Sequence, residues 1–228
     1  MAALPRIADE LVETGKVAEW LKWAGLSFDP FEPLDAAADT RLNSYLVGHD
    51  VFAQVWGDVI SWVFAPAGGG KTALRISITQ ACWVGQETNR PFPIPYVPPF
   101  LSWGHFLPSL EDHLAAVTRA GAIALFLALA HRPHWFFRLD KEGRRRVYET
   151  LSWSLPAALS VYTERCRQVK DVSALREVLD PTFILPDPPG PDELLRWCDE
   201  LDMTFELSSP PSPSERWRRL QELSLIHI

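Results

Sequence analysis

The chain lacks any excess of positive charge. Its 22 Lys and Arg are outnumbered by 29 Asp and Glu, for a net charge of −7, so no global field draws it to nucleic acid or to an anionic membrane. Cysteine is scarce as well. Cys82, Cys166 and Cys198 stand far apart, odd in number and with no Cys-x-x-Cys pair. That argues for the reduced thiols of a cytoplasmic protein and against a disulfide framework or a zinc knuckle. The opening MAALPRIADELVETGK has early acids and no apolar core, unlike a signal peptide. The longest greasy run, Ala120 to Ala130, is too short for the roughly 20 residues that cross a bilayer; it reads as a helix buried on most sides. There is no internal repeat, and no Ser/His/Asp or Cys/His set at a legible spacing.

What is present is a globular composition. The 228 residues are 47% apolar, with 10 Trp and 20 Pro, enough for one sizeable domain or one domain with an insertion. The tryptophans are expected to fill the core and cover helix contacts. Val17, Trp20, Leu21 and Ala24 have helical spacing, with Gly25 as the stop. A Pro- and Asp-rich arm follows, and Asp50 suits the cap of a short helix. Asp58 to Ala65, DVISWVFA, is β-branched and aromatic and reads as a buried strand. Thr72 to Val84 puts Leu74, Ile78, Ala81 and Cys82 on one helical face, ended by Gly85. RPFPIPYVPPF, from Arg90, reads as a second strand that its prolines confine to an edge.

Helical signals dominate beyond it. Ser109 with Asp112 fits a capping box before a helix to about His131. Lys141 to about Lys170 continues as helix, broken or kinked at Pro156. Ser173 to Leu179 and Pro191 to Leu201 read as short helices, Pro191 suiting a first helical position. Ser208 to Glu215 reads as a linker.

Between the expected strand and helix lies APAGGGKT, Ala65 to Thr72. It meets every fixed position of the phosphate-loop pattern G-x-x-x-x-G-K-[ST] except the first, where Ala65 replaces Gly. Glycines let backbone N–H groups approach phosphate oxygens, and the following helix adds the positive end of its dipole. The residues expected to cradle phosphate are Ala67, Gly68, Gly69, Gly70, Lys71, Thr72 and Ala73. Lys71 would reach the terminal phosphates, and the Thr72 hydroxyl would bind Mg²⁺. Ala65 matters little in an extended conformation and would matter if the position required φ > 0. A glycine-rich surface turn is the alternative.

The combination resembles P-loop NTPases of the AAA+/STAND type. Those carry an apolar Val-Gly-Arg box shortly before the loop, and here YLVGHDVFAQVWGD stands in that place, with His49 for the usual Arg. LSFDPFEP upstream and GKTALR after the loop are similar to bacterial ATP-binding proteins of this type. The resemblance covers roughly residues 17–97. It implies an α/β fold: a P-loop core with few parallel strands, followed by a helix-rich insertion. It also implies ATP and Mg²⁺ as ligands, with Val47 and Gly48 lining the adenine pocket. Residues 1–56 would be an N-terminal helix and arm, 57–105 the core, 106–207 the insertion, and 208–228 a linker with a non-native tail. The function implied is ATP binding in a regulatory or remodelling ATPase; the alternatives are a nucleotide-sensing module without hydrolysis, or a P-loop small-molecule kinase. Protein partners or self-association fit such a role.

No catalytic residue is assignable. Three acids compete for the carboxylate that completes a Mg²⁺ shell: Asp140, which better suits a helix cap; Asp187, set among prolines; and Glu206, in a short run. The end of the chain, LSLIHI, matches what a sequencing-library transposon end would encode, so native sequence is expected to stop near Glu222, leaving the N-terminal part of a longer protein. His131 and His134 read as solvated residues at a helix end, and Arg144 to Arg146 as a solvated helix face.

Overall fold

The computed structural model describes residues 21–23, 25, 52, 55, 62–66, 69–84, 91–96, 108–183, 185, 187–202 and 207–225. These are 70% helical and contain no strand. Among the described residues, beyond the short helical stretch at 21–23, eight helices run in the order α1 (Lys71–Val84), α2 (Leu110–His131), α3 (Pro133–Arg138), α4 (Lys141–Ser154), α5 (Leu159–Val169), α6 (Ser173–Leu179), α7 (Pro191–Leu201) and α8 (Pro213–Leu225). Near the N-terminus, Leu21 to Trp23 are helical and Gly25 has φ +71°, the left-handed conformation that ends a helix.

The expected α/β core with parallel strands is therefore corrected. Trp62 to Ala65 carry no ladder, and Trp62 and Phe64 are 80% and 88% exposed where a buried strand would cover them. Pro91, Pro93 and Pro95 fall on every second residue of the other candidate. N–H groups alternate between a strand's two edges, so these prolines strip one edge of its donors. The segment instead bends locally, Tyr96 N–H donating to the Ile94 carbonyl at 2.8 Å.

The helices start where side chains satisfy their free N–H groups. At α2, Asp112 N–H donates to Ser109 Oγ (3.2 Å) while Ser109 N–H donates to Asp112 Oδ2 (2.8 Å), a reciprocal capping box worth about 1 kcal/mol. The Ser109 hydroxyl (2.8 Å) and the Ser109 N–H, both donating to Asp112 Oδ2, lower the Asp112 pKa. Asp140 caps α4 by accepting from Gly143 N–H at 2.7 Å. Pro133 and Pro191 occupy first turns. α4 stops at Ser154 and α5 begins at Leu159, so Pro156 separates two helices.

α2 is the centre of the molecule. From Gly121 to His131 all but Ile123 are buried, because α3, α4, α6, α7 and α8 all pack on it. Trp197 of α7 lies fully buried beside Phe126, ring centroids 5.2 Å apart, and Tyr162 flanks Phe126 from α5 at 5.5 Å. α8 lies closest: a Cβ on Gly121 would stand 2.4 Å from Leu220 Cδ2. Leu220 and Leu223 are each only 2% exposed. The stretch before α8, 207–212, has no regular secondary structure, and the residues after it join the core as a helix.

By length and composition α2 could cross a membrane, but 56% of its apolar window is buried inside the protein. Its greasy run serves the core.

Candidate functional site

Among the described residues the glycine loop closes on itself. Lys71 Nζ donates to the carbonyls of Ala65 (2.6 Å) and Pro66 (2.8 Å), and Gly69 N–H donates to Pro66 O (3.1 Å). The loop is tight enough to require glycine: a Cβ on Gly69 would lie 2.8 Å from Ala65 Cβ and 3.0 Å from Pro66 O. Gly70 has φ +76°, which side chains disfavour. Ala65 is not among the residues with positive φ, so alanine at the first motif position introduces no backbone strain.

The first i→i−4 bond of α1 is Leu74 N–H to Gly70 O, 2.9 Å. Lys71, Thr72 and Ala73 thus form a first turn whose N–H groups have no acceptor within the helix. No acidic residue occupies that turn. The loop and α1 start bring Gly69, Gly70, Lys71, Thr72 and Ala73 together; Ala67, Gly68, Val47, Gly48 and His49 lie outside the described residues.

α1 reaches the bundle through its other end. Trp83 meets Phe92 edge-on at 5.3 Å and Phe183 at 5.5 Å. Ile94 packs at Gly121, and the Tyr96 hydroxyl is hydrogen-bonded to His113 Nδ1 on α2. Between α1 and the Pro91–Tyr96 segment runs a cavity of about 560 Å³, bordered by Lys71, Leu74, Arg75, Ile78, Thr79 and Cys82 from the helix. These positions follow the i, i+3, i+4, i+7 spacing of one helix face. Arg75 and Tyr96 were not among the expected site residues, although the i+4 spacing of Arg75 from Lys71 was legible.

A second cavity, of about 290 Å³, opens between α4 and α8 and is lined by charge. Here every guanidinium is answered. Arg145 pairs with Glu142 (2.7 Å) and Glu149 (2.8 Å), Arg146 with Glu142 (3.1 Å), Arg218 with Glu215 (2.7 Å) and Glu222, and Arg219 with Glu215 (3.1 Å) and Glu149 (3.3 Å). Hydrogen bonds from Arg145 and Arg146 hold the Glu142 carboxyl down at about 2, and those from Arg218 and Arg219 do the same for Glu215. Arg144 joins Glu200 at 2.9 Å and donates to the Phe137 and Leu139 carbonyls. The Arg144–Arg146 run is committed to structure.

The remaining candidates resolve individually. Asp140 is the α4 cap. Asp187 is exposed with φ +56°, and its carbonyl accepts from Arg132 at 2.8 Å; Glu206 lies outside the described residues. His131 is buried, not solvated: its Nδ1–H donates to Leu127 O at 2.9 Å, and burial pushes its pKa down to about 4. His134 is exposed on α3. No group of three metal-ligating side chains occurs among the described residues. The separation in sequence of Cys166 on α5 and Cys198 on α7 is overcome by folding: the two are buried as neighbouring free thiols. The Cys166 thiol beside it and burial hold the proton on Cys198, pushing its pKa up.

Compared with known proteins, the chain matches no family model, no curated protein and no solved structure.

Proposed function

We propose that the loop from Ala65 to Ala73 binds the phosphates of a nucleoside triphosphate, ATP, together with Mg²⁺. The observation that carries this is the closed glycine loop, drawn around the Lys71 ammonium at the start of a helix with no acid in its first turn. Such a cradle is local. It needs backbone N–H groups, a helix N-terminus and one cation, and none of these depends on a parallel sheet. Gly69 supports the fit, since any side chain there would occupy the concavity. Lys71 has three donors and spends two on the loop, leaving one for a phosphate oxygen. Thr72 would supply one oxygen to Mg²⁺, and the remaining coordination would come from phosphate oxygens and water.

In a cytoplasmic protein with reduced thiols, such binding would serve a nucleotide-responsive switch, with or without hydrolysis. The test is thermal stabilisation by Mg-ATP. Wild type should be stabilised and Lys71→Ala should not, the apo melting temperatures being alike. Equal ATP-induced shifts in the two proteins would refute the assignment. Thr72→Ala should weaken binding chiefly when Mg²⁺ is present.

A further inference from the structure

The two cavities carry opposite charge bookkeeping. Between α4 and α8 each guanidinium faces carboxylates, so the cleft is internally neutralised. Among the described residues, the groove along α1 has Lys71 and Arg75 on its walls and no Asp or Glu. The Arg75 guanidinium makes no hydrogen bond or ion pair among the described residues, in a protein whose net charge is −7. The rest of the lining is apolar or weakly polar: Leu74, Ile78, Ile94 and Tyr96 face the groove, with proline rings between them. A wall of aliphatic and ring surface bearing two cations at one end complements an anion attached to a flat apolar body.

We infer that this groove seats the base of the nucleotide whose phosphates the loop holds, with Arg75 supplying a second cation near the sugar-phosphate junction. The inference rests on the phosphate-loop assignment and extends it to a recognition surface. Its volume, about 560 Å³, falls within the range of small-molecule sites. Lys71 to Cys82 spans eleven residues, or about 16 Å of helix, so the groove continues from the phosphate end far enough to take a nucleoside. Thr79 lies toward the Cys82 end of the wall, where its hydroxyl is already spent on the Arg75 carbonyl at 2.9 Å. A larger side chain there would fill the groove without disturbing the loop.

The experiment compares ATP with inorganic tripolyphosphate, both with Mg²⁺, by calorimetric titration of the whole chain. Wild type should bind ATP more tightly than tripolyphosphate by about tenfold or more, the scale of one stacked base. Thr79→Phe should remove that advantage and leave tripolyphosphate affinity within about twofold. Ile78→Asp, which puts a carboxylate into the groove, provides a second variant should Thr79→Phe not fold, and the same selective loss is expected. Equal affinity of wild type for the two ligands, or ATP affinity unchanged in a folded groove variant, would overturn the groove while leaving the loop standing. Parallel loss of both ligands would overturn it too, since the groove would then have no role of its own. If wild type bound neither ligand, the loop assignment would fail first and the groove with it.

Discussion

α1 and α2 are both apolar helices, and the fold treats them differently. α2 is wrapped by five other helices, and its last eleven residues are buried with the exception of Ile123. α1 has two buried hydrophobic residues, Ile76 and Cys82, and one of its faces borders the open groove. Its neighbours in sequence, Trp62 and Phe64, are exposed. The stability of the molecule is therefore concentrated in residues 108–225, and the candidate binding surface lies where coverage is thin. Low burial and an exposed loop are what a ligand site requires, because every residue committed to a core is lost to a ligand.

The contrast can be tested by perturbing each side. Trp197→Ala should have the largest effect, about 3–5 kcal/mol in denaturant unfolding, because it opens a cavity against Phe126 at the centre of the bundle. A loss below about 1 kcal/mol would mean the bundle does not hold the fold.

Acid should come next. His131 has its pKa lowered to about 4 by burial, opposed in part by its bond to Leu127, with Arg176, Arg132 and Asp171 nearby. The unfolded state binds this proton first, so the contribution is complete above about pH 6.5 and is lost as pH falls toward 4. The loss is on the order of 3 kcal/mol. His131→Gln should flatten stability against pH over that window; an unchanged slope would remove His131 as its cause.

Glu149→Gln should be milder. It takes one charge from a buried carboxylate shared by Arg145 and Arg219. Both arginines are partly exposed, so about 1–2 kcal/mol is expected, shrinking as salt rises. A salt-independent loss would point to packing instead.

Lys71→Ala should be the smallest for the apo fold, within about 0.5 kcal/mol. Hydrogen exchange should nonetheless accelerate at Gly69, where the loop loses its tie to Ala65 and Pro66. Exchange unchanged there would show that the ammonium does not hold the loop.

Local features were readable wherever a side chain acts on its own backbone. Ser109 with Asp112 announces α2, Pro156 separates α4 from α5, and Pro191 opens α7, because caps and missing N–H groups act within a turn. The glycines and Lys71 of the loop belong to the same class. The strands did not follow, since a strand needs a partner that no local pattern supplies, and prolines at 91, 93 and 95 withdraw half the means of pairing. α8 was hidden for the opposite reason. Its short stretch of polar and apolar residues reads as a tail until Gly121 leaves room for Leu220.

By itself, then, the sequence determined the starts of α2, α4 and α7, the break at Pro156 and the chemical character of the loop, all set by interactions a few residues long. Tertiary structure alone decided that Glu149 meets Arg219 across 70 positions, that Cys166 lies beside Cys198, that His131 is buried, and that Arg75 stands on a groove wall with no carboxylate among the described residues. Each depends on which helix faces which, and that choice is made by burying apolar area over the whole chain, where no single segment holds the information.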